Sequence, residues 1–181
     1  MVTLQTGANT SITKQNPLID DLVIGFGWDV IRSNGPEVEL VPAAIMVNQH
    51  GEALNDESFV FFNQLATPDD AVRYVEGGDV EQIEVTLSKI PSQVQKIVFI
   101  VFVDPDVRKP GSFQAVRDPY IRVMDRDLNT LTRYDVVTAS TATAMIFAEL
   151  YRYNTEWKFR AVGQGYTTGI LGVTQDFKVQ L

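Results

Sequence analysis

Cysteine is absent from this chain of 181 residues, and histidine occurs once, as His50. The first absence excludes a disulfide framework, a thiol nucleophile and any thiolate metal site, and it fits a reducing compartment. The second excludes a zinc site built on several histidines. A Ser-His-Asp triad would have to recruit His50, which stands before Gly51 in a stretch that reads as an exposed turn. Basic residues are in deficit: 15 Lys and Arg against 23 Asp and Glu leave a net charge of -8. Such a chain repels phosphate backbones and anionic lipid, so nucleic acid is not an expected partner, whereas cations and basic protein surfaces are. Long apolar runs are missing too. The longest, Ile97–Val103, falls far short of the ~20 residues that cross a bilayer as a helix, so direct membrane insertion is not expected. Met1 to Ser11 lacks the basic-then-apolar pattern of a secretory signal, which makes the cytoplasm the expected location.

With 45% apolar and 21% charged residues the chain has the composition of a folding globular protein, and its length suits a single domain over residues 1–181. β-type segments, rich in β-branched and aromatic residues and separated by turn signals, fall at Leu22–Phe26, Val38–Asn48, Phe59–Phe62, Gln82–Leu87, Ile97–Val103, Tyr120–Met124, Leu131–Val137 and Trp157–Val162. Gln82–Leu87 alternates polar with apolar, the pattern of a half-buried strand. Ile97–Val103 is apolar on both faces and predicts a central strand covered above and below. Pro42 cannot donate to a ladder, so the Val38–Asn48 strand needs an edge, a bulge or a start beyond the proline. Gln49-His50-Gly51 and Arg126-Asp127-Leu128-Asn129 predict hairpin-like turns.

A long helix is predicted over Ser140–Tyr153, where Ala142, Ile146 and Leu150 recur at a four-residue step, and a short helical turn after Pro91. Many strands with one or two helices across a sheet give a mainly β fold: a two-sheet β-sandwich with one α-helix in the C-terminal half and a short helical turn.

Acids and glycines gather at the expected strand ends: Gly25-Phe26-Gly27-Trp28-Asp29 closes one strand, Glu39 precedes another, and Gly77-Gly78-Asp79-Val80-Glu81 opens a third. Asp56 and Asn63-Gln64 flank the Phe59–Phe62 strand. Calcium takes ~6–8 oxygen ligands from carboxylates, amides, main-chain carbonyls and water, and loop acids beside glycines are suitable parts. Each residue taken singly reads equally as a solvated loop acid or a turn glycine, and no spacing matches the helix-loop-helix calcium pattern. Adjacent acids such as Asp20-Asp21, Asp69-Asp70 and Asp104/Asp106 raise the alternative of a carboxylate-dependent hydrolase, but acid-base chemistry needs perturbed acidity in a shared cleft. The aromatic residues Trp28, Trp157, Phe59, Phe61 and Phe102 are assigned to packing, Gly163-Gln164-Gly165 to a bend or close backbone approach, and Arg108-Lys109-Pro110 to a solvated loop with a protein-contact alternative.

The order of whole phrases is more specific. Gly25-Phe26-Gly27-Trp28-Asp29, Phe59-Val60-Phe61-Phe62-Asn63, Leu87-Ser88-Lys89-Ile90-Pro91, Tyr120-Ile121-Arg122-Val123 and Glu149-Leu150-Tyr151-Arg152 run in sequence, followed by Glu156-Trp157-Lys158-Phe159-Arg160-Ala161-Val162-Gly163-Gln164-Gly165. In these phrases the chain resembles, nearly end to end, the tellurium-resistance TerD family, bacterial stress-associated proteins that bind calcium. The resemblance implies a β-sandwich with a helix near the C-terminus. It also implies a non-enzymatic binding protein of the cytoplasmic stress response, working through protein partners, either family relatives or a stress complex peripheral to the inner membrane.

Around the family's calcium loops this chain departs from the pattern. An Asp-Leu-Asp phrase is here Glu39-Leu40-Val41, paired asparagines are Asn63-Gln64, the glycine-aspartate loop between Tyr74 and Asp79 is short, and its closing acidic triplet is Asp79-Val80-Glu81. The resemblance therefore leaves Asp29, Glu39, Asn63, Gln64, Asp79 and Glu81 as candidate metal ligands, enough for at most one weakened calcium site. A metal-independent scaffold in which that site has decayed is the alternative, and Val41 and Val80 favour it. Because thiol reduction of tellurite needs cysteine, the resemblance implies action by binding.

Overall fold

The computed structural model describes residues 1–32, 34–36, 38–75 and 79–180. Among the described residues twelve strands and one α-helix follow in order: β1 Val2–Leu4, β2 Asn9–Ser11, β3 Asp21–Val30, β4 Leu40–Asn48, β5 Phe59–Val60, β6 Val72–Val75, β7 Glu81–Thr86, β8 Val94–Val103, β9 Val116–Met124, β10 Thr130–Asp135, β11 Ala144–Tyr153, β12 Glu156–Tyr166 and α1 Gly169–Asp176. They form two six-stranded sheets, β1-β10-β9-β3-β7-β6 (sheet A) and β2-β12-β11-β8-β4-β5 (sheet B), stacked face to face. β1 pairs with β10 in parallel, and the other pairings within these sheets are antiparallel. The expected two-sheet sandwich is the fold observed.

Strand alternation decides what lies between the sheets. Leu22, Ile24 and Phe26 of β3 and Ile83 and Val85 of β7 point inward from sheet A and meet Ile97, Phe99, Val101 and Val103 of β8 from sheet B. Rings link the layers, with Phe26 centred 6.3 Å from Phe99 and 6.4 Å from Phe147, a spacing within the range for favourable edge and tilted aromatic pairs. The other face of β8 (Val98, Ile100, Phe102) joins Val41, Ala43 and Ile45 of β4 beneath α1, whose Ile170 and Val173 complete that second apolar layer. β8 is thus covered on both faces, as its unbroken apolar run predicts. β5 flanks β4 only at Ala44 and Ile45, so Pro42 stands on a stretch with one open side, as its missing N–H requires.

The predicted helix over Ser140–Tyr153 is corrected: from Ala144 onward this segment is β11, a central strand between β8 and β12. Met145, Phe147, Ala148 and Leu150 enter the core between the sheets while Ala144 and Ile146 lie in the layer under α1. The four-residue step of Ala142, Ile146 and Leu150 is an even step that a strand satisfies as well as a helix, and a bulge between Ile146 and Ala148 turns Leu150 to the face opposite Ile146. The helix of the C-terminal half is α1 at Gly169–Asp176, and a short helical turn lies before Pro91, at Leu87–Lys89. α1 packs on β8, β11 and β12, all of sheet B.

Candidate functional site

The outer face of sheet A carries the polar constellation of this molecule, and two glycines make it possible. Since Leu22, Ile24 and Phe26 are inward, Gly25 and Gly27 of β3 face outward. Gly25 sits in register between Arg122 of β9 and Gln82 of β7, and Gly27 opposite Tyr120 of β9. A Cβ on Gly25 would run into the Asp79 carboxylate and approach the Met124 methyl to 2.9 Å, and one on Gly27 would lie 2.5 Å from the Tyr120 hydroxyl. The glycines are therefore seats in the strand surface on which Asp79 and Tyr120 lie flat.

Asp79 reaches its seat from the segment before β7. Arg122 donates Nε to its Oδ2 at 2.9 Å and Nη2 to its Oδ1 at 2.5 Å, a two-pronged pair, and spends Nη1 on Thr130 Oγ1 at 3.0 Å. The Asp79 side chain is 5% exposed and that of Arg122 is 28% exposed, so solvent screens this pair weakly. Arg133 lies over the Tyr120 ring at 3.9 Å and donates to Asp135 at 2.8 Å. Burial, and then the negative charge of Asp79, raises the Tyr120 phenol above its ordinary value, and the hydrogen bond to Asp79 raises the Arg122 guanidinium further. The network continues across the sheet. Arg73 bonds to Glu84 at 3.3 Å and Thr86 at 3.1 Å, Thr86 donates to Asp21 at 2.9 Å, and Arg126 pairs with Asp21 at 3.5 Å.

The six candidate ligands fall into separate settings. Asp79 is held by Arg122, and Glu81 accepts from the Tyr74 hydroxyl at 2.5 Å. Asp29 is exposed near the end of β3, opposite Arg117. Glu39 is exposed before β4, and its carbonyl accepts from Asp104 N at 2.8 Å. Asn63 is exposed in the turn closed by Phe61 and Gln64, and Gln64 donates Nε2 to the Glu57 carbonyl at 2.6 Å. Asp79 and Glu81 thus share the start of β7 on sheet A, whereas Glu39, Asn63 and Gln64 belong to the border of β4 and β5 on sheet B. Among the described residues no three Asp, Glu or His side chains converge into a group able to hold a metal. Glu76, Gly77 and Gly78 of the expected loop lie outside the described residues.

Among the described residues these six side chains do not gather the ~6–8 oxygens that calcium takes around one point. Both oxygens of Asp79 are turned to a cation already, and Val41, 6% exposed, is committed to the apolar layer under α1. The adjacent acid pairs serve the backbone. Asp20 accepts from Ser88 N and Oγ at 2.7 Å, Asp69 from Thr67 Oγ1 at 2.7 Å and Ala71 N at 2.9 Å, and Asp104 from Asp106 N at 2.9 Å. A cleft of about 610 Å³ at the far end of β3 is lined, among the described residues, by Ile31, Pro36, Val38, Pro110, Thr143 and the charged Arg117. Gly163, at φ +70° with the Tyr134 hydroxyl 2.5 Å from where its Cβ would lie, is a site of close approach, as expected.

Sequence reasoning missed Arg122, Tyr120 and Tyr74 as the partners of the acids. The available signal was the outward alternation of Tyr120 and Arg122 against Gly25 and Gly27, but it becomes readable only once the strand register is known.

Fold and site together define a β-sandwich scaffold whose sheet A carries a network of mutually paired charges on its outer face. The TerD domain model matches residues 1–177, and the chain belongs to the TerD family. It is 37% identical to tellurium resistance protein TerD of Serratia marcescens, over 98% of this chain and 97% of that protein. It is 30% identical to general stress protein 16U of Bacillus subtilis, over 99% and 98% respectively. The crystal structure of a homologue of telluride resistance protein (TerD) from Streptomyces coelicolor superposes with a TM-score of 0.70 at 19% identity, covering 90% of this chain and 99% of that one, a likeness of fold.

Proposed function

We propose that this chain is a non-enzymatic binding protein of the bacterial stress response, associated with tolerance of tellurite, that acts in the cytoplasm by docking protein partners. The names of its Serratia and Bacillus relatives supply the context. The observation that carries the mode of action is the outer face of sheet A, where Asp79, Glu84, Asp21 and Asp135 are each paired with an arginine and where Asp21, Arg73, Glu84 and Arg126 together line a hollow of about 270 Å³. Charge pairs laid out on a sheet face give register and specificity to a protein contact. Acid-base catalysis needs a carboxyl free to exchange its proton in a water-excluded pocket, whereas Asp21, Asp79 and Glu84 are each committed to an arginine. The absence of cysteine removes the thiol route to tellurite reduction by the chain itself.

The reading is tested by complementation in a bacterium deleted for its own TerD-family protein. The unaltered chain restores growth on tellurite. The double variant Arg126→Glu/Arg133→Glu, which alters two side chains of the sheet A face, stays folded with a lowered melting temperature and loses the tolerance. Full tolerance from that folded variant, or reduction of tellurite by the purified chain with a simple electron donor, contradicts the proposal.

A further inference from the structure

We propose that the outer face of sheet B carries a seat for a free, phosphate-like oxyanion, formed by Lys96 and Arg160 and held in shape by Glu149. The seat lies on the opposite side of the sandwich from the charge pairs of sheet A. The inference goes beyond the partner-docking function, which can hold with or without it.

Strand alternation brings these residues together. Ile97 of β8, Ala148 and Leu150 of β11, and Phe159 and Ala161 of β12 enter the core between the sheets, so Lys96, Glu149, Tyr151 and Arg160 point outward. They stand beyond the apolar layer of Val98, Ile100, Ala144 and Ile146 that α1 covers on the same face. There they line an open hollow of about 430 Å³, with Gln49 and His50 at its exposed rim.

Charge is sorted by depth in this hollow. The Glu149 side chain is 7% exposed, that of Lys96 28% and that of Arg160 44%. Lys96 Nζ lies 3.2 Å from Glu149 Oε2, and Arg160 Nη2 donates to Oε1. The carboxylate is therefore the floor, with both oxygens covered, and the two cations stand nearer to water. One cation suffices to neutralise a buried carboxylate, and the second is in excess. With His50 neutral the lining keeps one positive charge, in a chain whose net charge is -8.

Donor supply gives the second argument. An ammonium carries three N–H groups and a guanidinium five. Among the described residues Lys96 and Arg160 spend them on Glu149 alone, and the Tyr151 ring, 5.0 Å from the Arg160 guanidinium, steadies that side chain. The remaining donors are free to meet a ligand. A guanidinium fork beside an ammonium point charge is the combination that recognises an oxyanion, the fork by parallel bonds and the ammonium by charge. Glu149 holds both cations in place beforehand, which lowers the ordering cost of binding. A metal ion is repelled by the same two charges.

The experiment uses the full chain and sodium phosphate, with sodium chloride at equal ionic strength as control. The Arg160 Nε–H signal and the backbone amide signals of Tyr151 and Arg160, followed by NMR, are expected to shift to saturation in millimolar phosphate and to stay in place in chloride. No saturable shift, or the same shift in chloride, overturns the proposal. Lys96→Gln removes the excess charge while Arg160 still neutralises Glu149, so this variant is expected to fold and to bind phosphate about tenfold more weakly or worse, the consequence of losing a hydrogen bond from a charged group. Arg160→Leu is expected to do the same, and unchanged phosphate binding in either folded variant overturns the seat. Should one variant fail to fold, the other and the titration of the unaltered chain still decide. Sedimentation with phosphatidylglycerol vesicles separates a free anion from a lipid head group: the chain is expected to stay in the supernatant, since its net charge of -8 is repelled by that surface. Co-sedimentation that Lys96→Gln abolishes would assign the seat to lipid and overturn the free anion. A chain that ignores phosphate yet depends on Arg126 and Arg133 for tellurite tolerance would sink this inference and leave the function standing.

Discussion

Gly25→Ala is the smallest change that probes how sheet A is built. On an ordinary strand, replacing glycine by alanine stabilises by about 0.5–1 kcal/mol, because glycine loses more conformational freedom on folding. Here the new methyl group would occupy the seat of the Asp79 carboxylate and crowd the Met124 methyl at 2.9 Å. Met124 ends in a flexible thioether and can turn aside, but Asp79 cannot keep both bonds to Arg122 once lifted. Hydrogen bonds to charged groups are worth about 1.5–3 kcal/mol, and with the general gain from alanine subtracted the net loss is about 1–2 kcal/mol. For a chain of this size that lowers the melting temperature by roughly 2–8 °C, read by circular dichroism. In an Asp79→Ala background the seat is vacant, and Gly25→Ala should become neutral or stabilising. A Gly25→Ala chain as stable as the unaltered one, with Asp79 in place, would refute the reasoning.

Two further outcomes follow from single sites. Gly163→Ala forces a side chain onto a backbone at φ +70° and against the Tyr134 hydroxyl, which bonds Thr6 at 2.8 Å; strain of this kind costs about 1–3 kcal/mol, seen as a lower urea midpoint, and an unchanged midpoint would contradict the close approach. Bonds from the Asn129 backbone and side chain, with one from Asp127 N, hold the Asp125 carboxyl below the ordinary aspartate value. A depressed folded pKa contributes stability that is complete above the unfolded value and disappears as pH falls through the folded one. Asp125→Asn should therefore flatten the acid side of the melting-temperature profile, and an NMR titration should place Asp125 below the ordinary aspartate value; a midpoint at or above that value contradicts the turn geometry.

What the sequence reveals and what it hides follow from period and distance. β8 was legible because Ile97–Val103 is apolar at every position, which only a doubly covered strand explains. β11 is doubly covered as well, but it carries Ala144 and Ala148, and the four-residue step of Ala142, Ile146 and Leu150 is an even one that strand and helix both satisfy, so periodicity cannot separate a buried strand from a buried helix. α1 escaped for a complementary reason. Gly169 and Gly172 give it poor intrinsic propensity, and it is held by Ile170 and Val173 resting on sheet B.

The candidate site was legible as a set of strand-end acids and glycines but not as contacts. Gly25 is 54 positions from Asp79 in sequence and under it in space, and Arg122 is 43 positions from the carboxylate that it binds. Only the antiparallel register of β9, β3 and β7 brings the three together, and residue type alone assigns an isolated acid to a metal as readily as to an arginine.

The most direct test is the Arg122 side-chain Nε–H signal, followed by NMR in the full chain as calcium is added. A guanidinium locked onto Asp79 gives a protected, slowly exchanging signal whose position does not move between chelator and millimolar calcium. A signal that exchanges freely, or one that shifts to saturation as calcium is added, would mean that Asp79 is available to the ion and that the paired charges on the outer face of sheet A are wrongly described.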